Sequence, residues 1–206
     1  MKKMIILLAG YPGTGKSYLA NIILEKFPEF QMLSPDEIKE EFWDRYGFDN
    51  LKEKEDLICR SWKEYYHRME QALKQGVNLI SDYPFSQKQK GKIEKMTQEA
   101  GYQVLTIRLS GDLDILFQRQ RKRDLDDARH LGHILSSYHK GKKETQRAKA
   151  DYLLTYEEFY KRCTQRGYGE FSLGETMEID VSDYTKIPYK MILETIEKKT
   201  REEDTF

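Results

Sequence analysis

Residues 10–17 read GYPGTGKS and directly follow the apolar run MIILLA at residues 4–9. The eight residues match G-x-x-x-x-G-K-[ST], a pattern in which glycines let successive backbone N–H groups converge on the phosphates of a nucleotide. The apolar run predicts a buried strand, and the helical spacing of apolar residues over 17–27 predicts a helix. The turn therefore lies where a helix N-terminus can bind an anion, which indicates a phosphate site within an α/β fold.

The residues of this turn have separate expected roles. Lys16 is expected to reach the β- and γ-phosphate oxygens, and Ser17 to ligate magnesium. We expect ATP with Mg²⁺ as the cofactor, because the sequence holds no guanine-reading N-K-x-D stretch. The predicted cofactor-binding residues are Gly10, Tyr11, Pro12, Gly13, Thr14, Gly15, Lys16, Ser17 and Tyr18.

Composition excludes several classes of protein. The chain has 206 residues, and its 35 basic and 35 acidic side chains cancel, so no net charge draws it to nucleic acid or to an anionic membrane. The apolar run at residues 4–9 is far shorter than the roughly 20 residues that span a bilayer. Cys59 and Cys163 have no metal or redox spacing, which favours free thiols. We expect one cytoplasmic α/β domain over residues 1–206.

Short apolar runs alternate with longer amphipathic stretches, which predicts a parallel sheet with crossover helices. The predicted strands are residues 4–9, 30–34, 77–82, 102–110 and 176–182. The predicted helices are residues 17–27, 35–46, 51–75, 86–100, 111–123 and 185–199, with a helix-rich block over about 142–165. Residues 123–133 lose this periodicity and predict a loop or mobile segment, and the tail REEDTF is expected to fray.

Two carboxylates are placed for phosphoryl transfer, which needs a group to accept the proton of the attacking hydroxyl. Asp36 follows the second strand in LSPDE, and Asp82 ends the third strand in LISD. Both therefore lie at the carboxyl edge of the sheet, where open α/β sheets bind ligands. The structural alternatives are a first-turn helix carboxylate for Asp36 and a turn residue for Asp82.

Cations for the transition state are available in FQRQRKRD at residues 117–124. Arg119 and Arg123 are four residues apart and share one helix face, so both guanidinium groups are expected to turn toward one phosphate. Arg121 and Lys122 then point elsewhere, as in an ordinary solvated charge run.

Five stretches together carry a family resemblance: GYPGTGKS, LSPDEIKEEF, GVNLISDYPFS, EAGYQVLTIRLSGDLDILFQRQRKR and MEIDVSD. They resemble the AAA_33 and zeta-toxin-like group of P-loop kinases, which includes bacteriophage polynucleotide kinase and chloramphenicol phosphotransferase. The resemblance implies a P-loop NTPase fold like that of nucleoside-monophosphate kinases, a three-layer sandwich with a five-stranded parallel sheet. It also implies an arginine-bearing lid, which we place over about residues 112–140. The helix-rich pattern that follows predicts a helical insertion over about 142–174.

The resemblance further assigns the base aspartate to Asp36, a substrate-side aspartate to Asp82, and lid arginines to Arg119 and Arg123. Polynucleotide kinases also carry an arginine shortly after the base aspartate. Here Lys39 stands at that position and Arg45 lies further on, which disfavours a nucleic-acid substrate.

Histidines and aromatic residues offer two further interpretations. His130, His133 and His139 invite a zinc site, but no cysteine or paired carboxylate nearby completes a tetrahedral ligand set. We expect His130, close to Arg129, in the lid or the substrate pocket. The aromatic residues around Trp43 predict packing more than base stacking.

The leading hypothesis is a kinase that transfers the γ-phosphate of ATP to a hydroxyl of a small-molecule or nucleotide-like acceptor. The alternatives are an ATP-hydrolysing regulatory or toxin-like module that acts through a protein partner, and a polynucleotide 5′-hydroxyl kinase. The candidate catalytic residues are Asp36, Lys16, Arg119 and Arg123. The candidate substrate residues are Asp36, Asp82, Arg45 and His130, and the candidate metal ligands are Ser17 and Asp82.

Overall fold

Five parallel strands form the centre of the protein, whose computed structural model describes residues 2–201. The strands are β1 (Met4–Gly10), β2 (Phe30–Met32), β3 (Asn78–Asp82), β4 (Gln103–Ser110) and β5 (Glu175–Asp180). They lie in the order β2-β3-β1-β4-β5, with β1 paired to β3 and β4. The predicted five-stranded parallel sheet is therefore confirmed.

Helices connect the strands as crossovers. Their bounds are α1 (Lys16–Lys26), α2 (Pro35–Tyr46), α3 (Leu51–Lys74), α4 (Gln87–Glu99), α5 (Leu113–Leu125), α6 (Tyr156–Gln165) and α7 (Tyr189–Arg201). Proline begins α2, where its missing N–H costs no hydrogen bond, and Gly47 ends it with a positive φ. The sequence therefore carries the start and stop signals of the helix that holds Asp36.

Strand β1 is buried along its whole length, because helices cover both faces of the sheet. Its even-numbered residues, such as Ile6, pack toward α1, α5, α6 and α7. Its odd-numbered residues, such as Leu7, pack toward α2, α3 and α4. This alternation gives the three-layer sandwich that the family resemblance implies.

Several boundaries differ from the sequence-based prediction. The predicted helix-rich block begins as a helix only at Tyr156, and residues 142–155 hold one 3₁₀ turn at Arg147–Lys149. This charged run after Gly141 has no apolar stripe, so no helix face could be buried there. Helix α7 begins at Tyr189 rather than at 185, because Pro188 disfavours a helical residue before it. The expected fraying of the tail concerns residues 202–206, which lie outside the described residues.

Residues 126–140, here called the docked segment, lie against α2 and α3. Leu131, Ile134, Leu135 and Tyr138 of this segment form an apolar cluster with Trp43, Phe48 and Leu57. Phe48 and Tyr138 also exchange backbone hydrogen bonds of 2.8 Å. Opening of the predicted lid stays a prediction, whereas the docking of its second half on the helix that carries Asp36 is observed. Within residues 2–201, no helix has the length and apolar character needed to cross a bilayer.

Candidate active site

The glycine turn between β1 and α1 has the backbone geometry of a phosphate cradle. Gly10, Gly13 and Gly15 have φ values of +106°, +79° and +83°. A Cβ on Gly10 would lie 1.8 Å from the carbonyl oxygen of Leu109, and one on Gly13 would lie 2.3 Å from that of Leu116. These glycines are therefore required by both backbone conformation and packing. The turn opens at the N-terminus of α1, which favours an anion.

Lys16 is buried and curls back over this turn. Its Nζ donates hydrogen bonds to the carbonyl oxygens of Tyr11 at 2.6 Å and Gly10 at 3.3 Å, and to Thr14 Oγ1 at 3.2 Å. Burial lowers the pKa of Lys16 to about 8, although the nearby Asp82 carboxylate opposes this effect. The ammonium is thus held by neutral oxygens inside a turn shaped for an anion. A nucleotide phosphate would supply the missing negative charge.

The remaining predicted cofactor residues surround the turn. Thr14 Oγ1 donates to the carbonyl oxygen of Tyr11 at 2.8 Å and thereby rigidifies the loop. The Tyr11 hydroxyl packs tightly against Gly169, where a Cβ would lie 2.3 Å away, so Tyr11 contributes its backbone to the cradle. Tyr18 is 64% exposed on α1, and its ring meets that of Tyr189 edge to face.

Ser17 and Asp82 meet directly beneath the turn. Ser17 Oγ donates a 2.6 Å hydrogen bond to Asp82 Oδ2, while Asp82 Oδ1 is buried and has no hydrogen-bond partner within residues 2–201. Burial raises the pKa of Asp82, because the charged carboxylate is under-compensated there. A hydroxyl and a free carboxylate oxygen are ligands that Mg²⁺ prefers, so this pair fits the expected magnesium. Bound Mg²⁺ would neutralise phosphate charge at this point.

Asp36 lies in the first turn of α2 and is ion-paired with Lys39. Lys39 Nζ lies 2.9 Å from Asp36 Oδ1 and 3.2 Å from the Tyr83 hydroxyl, above the Tyr83 ring. Burial alone would raise the pKa of Asp36, but the charges of Lys39 and Arg129 and the hydrogen bond from Lys39 hold it far below its usual range. The carboxylate is therefore ionised. Sequence reasoning treated Lys39 only as a departure from the family pattern and missed this contact.

The two predicted lid arginines differ in their surroundings. Arg119 donates to the carbonyl oxygens of Val181 and Ser182 at 2.5 and 2.9 Å, and its guanidinium lies 3.6 Å from the centre of the Tyr184 ring. Arg123 is exposed, its side chain has no hydrogen bond or ion pair within residues 2–201, and its charge lowers the pKa of Lys16. The two guanidinium groups thus have different surroundings, and their convergence on one phosphate stays a prediction. Only Arg123 is free to bind one.

A third arginine, Arg129, lies nearer to Asp36 and was not predicted as a site residue. Its side chain is 10% exposed and lies 3.5 Å from Asp124 and 3.8 Å from Glu40. The charge of Arg129 lowers the pKa of Asp36, which places it among the near neighbours of that carboxylate. In the sequence it stands within a segment that has no periodicity, so no local pattern marked it.

His130 and Arg45, the other predicted substrate residues, lie in different surroundings. His130 Nε2 is 3.1 Å from Asp44 Oδ1, and its Nδ1 accepts a hydrogen bond from the Gly132 N–H, so both ring nitrogens are engaged. Arg45 is exposed, and its guanidinium lies 5.4 Å from the centre of the Tyr46 ring. The structure therefore gives His130 a role in docking the segment on α2.

Solved structures with the same fold include several that carry kinase names. A protein from Chloroflexus aurantiacus J-10-fl, named provisionally as a kinase, is 17% identical over 98% of both chains with a TM-score of 0.74. A sugar kinase from Janibacter sp. HTCC2649 is 13% identical over 95% of this chain and 92% of its own, with a TM-score of 0.53. The tunicamycin resistance protein of Deinococcus radiodurans is 13% identical over 97% and 96%, also at 0.53. These likenesses show the fold.

Comparison of the sequence itself gives the family. No curated protein matches the chain significantly. The model of the AAA domain family AAA_33 matches residues 5–140, which is more than half of the chain and includes the phosphate cradle, Asp36, Asp82 and Arg123. The chain therefore belongs to the AAA_33 family of AAA domains and has the fold of the P-loop kinases.

Proposed function

We propose that this protein is a cytoplasmic, ATP- and Mg²⁺-dependent phosphotransferase whose acceptor is an alcohol group. One observation carries the proposal: two carboxylates lie at the carboxyl ends of neighbouring strands, Asp36 after β2 and Asp82 at the end of β3, and both act on Lys16 of the cradle. Asp82 contacts the cradle through Ser17, and both carboxylates raise the pKa of Lys16. A site for binding a nucleotide alone needs no second, ion-paired carboxylate at this edge.

The transfer step follows from these positions. The acceptor hydroxyl oxygen forms a bond to the γ-phosphorus, while the bond from that phosphorus to the bridging oxygen of ADP breaks. Asp36, held ionised by Lys39, accepts the hydrogen bond of the hydroxyl and takes its proton as the new bond forms. Because its pKa is so low, Asp36 acts more by orienting the hydroxyl than by early proton removal.

Charge neutralisation falls to groups that have no carboxylate partner. Lys16 lies within the cradle, and Arg123 lies close enough for its charge to act on Lys16. Both can therefore meet the charge that develops on the γ-phosphoryl oxygens. The names of the Chloroflexus and Janibacter proteins support phosphotransfer by this fold.

The test is a metabolite-pool screen with γ-labelled ATP, run with the wild type and with Asp36→Asn. A kinase labels an acceptor in the pool, and Asp36→Asn abolishes the label while it binds ATP as the wild type does. If nothing is labelled and basal hydrolysis is the same in both proteins, the kinase proposal fails and the ATP-hydrolysing regulatory module replaces it.

One observation favours a second candidate, the nucleic-acid 5′-hydroxyl kinase. A groove of about 520 Å³ between α2 and α3 is lined by Arg45, Arg60, Lys63 and the half-exposed Tyr46, among others. The Arg60 guanidinium lies 4.3 Å from the centre of the Tyr46 ring, and these three cations have no ion pair within residues 2–201. Single-strand binding at this groove must weaken steeply with salt. Salt-insensitive or undetectable binding removes this candidate.

A further inference from the structure

A second cavity, of about 300 Å³, lies between α5, the docked segment and the chain that leads into α6. Its walls adjoin both halves of the proposed active site. Gln120 in one wall belongs to the turn of α5 that touches the cradle, since a Cβ on Gly13 would lie 3.4 Å from the Gln120 nitrogen. His133 in another wall contacts Glu40, which lies one helical turn after Asp36 on α2.

The charges around this cavity argue against an anionic ligand. Asp124, Asp151 and Glu158 line it, against two arginines, Arg129 and Arg162. Both arginines are already ion-paired, Arg129 with Asp124 at 3.5 Å and Arg162 with Glu158 at 2.9 Å. A phosphate or carboxylate would meet more negative than positive charge and would have to displace an existing partner. A small uncharged molecule rich in hydroxyl groups has no such cost.

His133 offers a hydrogen-bond acceptor in this cavity. Its Nε2 lies 2.6 Å from Glu40 Oε1. Burial opposes ionisation of Glu40, but the contact with His133 outweighs it and lowers the pKa of Glu40, so this carboxylate can only accept. The proton of His133 therefore resides on Nε2, and burial lowers the pKa of the ring to about 4, which keeps it neutral. Within residues 2–201 the ring of His133 forms its side-chain hydrogen bond through Nε2, which leaves the Nδ1 lone pair available to a ligand.

Arg129 offers an unused donor in the same wall. Its Nε is buried and meets Asp124 Oδ1 only as an ion pair at 3.5 Å, without forming a hydrogen bond with any described residue. A buried donor without a partner is costly, so such an atom marks a place where a ligand group can bind. A hydroxyl group can accept a hydrogen bond from a donor such as Arg129 and donate one to an acceptor such as His133, which an apolar group cannot do.

We propose that this cavity binds the phosphoryl acceptor and that the acceptor is a small, uncharged sugar or polyol, one hydroxyl of which donates a hydrogen bond to His133 Nδ1. The inference rests on the proposed kinase function and adds the substrate class and the residues that recognise it. In this arrangement Glu40 fixes the tautomer of His133, and the neighbouring α2 turn presents Asp36 to the hydroxyl that is phosphorylated. His133 is thereby a binding residue, and Glu40 is a positioning residue.

The test uses γ-labelled ATP, Mg²⁺ and three acceptor sets: unphosphorylated sugars and polyols (glucose, ribose, sorbitol, glycerol, myo-inositol), the corresponding sugar phosphates, and nucleosides with 5′-hydroxyl oligonucleotides. We expect labelled product from the first set alone. Product only from another set overturns this inference and leaves the kinase function standing, whereas no product from any set overturns both.

Two substitutions of His133 separate binding from a structural role. His133→Gln keeps a donor for Glu40 but has no acceptor at the position of Nδ1. His133→Asn can place an oxygen near the position of Nδ1 but loses the hydrogen bond to Glu40. We expect His133→Gln to raise the KM of the sugar or polyol roughly tenfold, with the KM of ATP unchanged, and His133→Asn to raise it less. The control, His139→Gln, removes an exposed histidine that pairs with Asp49 outside the cavity. If His133→Gln raises the KM of the acceptor less than His133→Asn does, the inference is wrong.

Discussion

Lys39 Nζ lies 2.9 Å from Asp36 Oδ1, one turn along α2, and this ion pair keeps the proposed base ionised in a partly buried setting. Lys39 is itself 8% exposed at its side chain and holds its position through the Tyr83 hydroxyl and ring. The cost of burying either charge is offset by the other, so the two residues act as a unit.

Removing the charge of Lys39 should raise the pKa of Asp36. In Lys39→Met, burial is opposed by fewer charges, and we expect the Asp36 carboxyl to titrate about 1–3 pH units higher than in the wild type. Carboxyl NMR titration of ¹³C-labelled protein measures this directly. Lys39→Arg keeps the charge and serves as the control, and an unchanged Asp36 titration in Lys39→Met would contradict the ion-pair account.

The contact between Ser17 and Asp82 predicts a magnesium-specific defect. Ser17→Ala and Asp82→Asn should each raise the Kd for ATP with Mg²⁺ by roughly tenfold or more, because a hard oxygen ligand or its charge is lost. Titration calorimetry with ATP, repeated in EDTA, separates a loss of Mg²⁺ binding from a loss of phosphate binding. Ser17→Thr retains the hydroxyl and should bind like the wild type. Equal losses of ATP affinity with and without Mg²⁺ would show that Ser17 and Asp82 have a structural role and do not bind the metal.

Loss of Arg123 should lower the rate of transfer, whereas loss of Arg119 should lower the stability of the protein. Arg123→Ala is expected to lower the turnover of transfer by about 100-fold or more and leave the unfolding temperature unchanged, because its free guanidinium serves only the transition state. Arg119→Ala should instead destabilise the protein by about 1–3 kcal/mol, because the carbonyl oxygens of Val181 and Ser182 lose their donor. Initial rates and urea unfolding measure the two effects, with Arg121→Ala as control. A loss of stability in Arg123→Ala together with a loss of turnover alone in Arg119→Ala would refute these two roles.

Burial of His133 predicts a loss of stability in mild acid. Its pKa is about 4 in the folded protein against an ordinary value of 6.5, so the unfolded chain binds more protons between these values and stability falls as pH falls. From pH 7.5 to 4 we expect this histidine to cost up to about 3 kcal/mol in the free energy of unfolding. Urea unfolding at several pH values should show that the free energy of unfolding of His133→Gln depends less steeply on pH than that of the wild type.

Two glycines should respond oppositely to alanine. A Cβ on Gly132 of the docked segment would lie 2.3 Å from the buried Trp43 ring, so Gly132→Ala should destabilise the protein by about 1–3 kcal/mol. Gly91, within α4, has open space where the methyl group would go, and Gly91→Ala should stabilise by up to about 1 kcal/mol. Thermal unfolding of the two variants compares them directly. A neutral Gly132→Ala would show that the docked segment is not held tightly against α2.

The sequence by itself determined the cradle, the five-stranded sheet and the edge at which Asp36 and Asp82 lie. These features are local: glycines fix the turn, apolar periodicity fixes which faces are buried, and parallel strands end at one edge. Residues 142–155 show the limit of such reasoning: the predicted helix-rich block has no apolar stripe there, and these residues hold one 3₁₀ turn.

Only the tertiary structure decided how the docked segment completes the site. The pairs His130–Asp44 and His133–Glu40 join residues that are 86 and 93 positions apart. No local pattern encodes which histidine meets which carboxylate, because that depends on how the segment after α5 packs against Trp43 and its neighbours on α2. The same packing places Arg129 near Asp36. Arg119 is held by carbonyl oxygens that follow β5, a contact that the spacing of Arg119 and Arg123 in the sequence does not reveal.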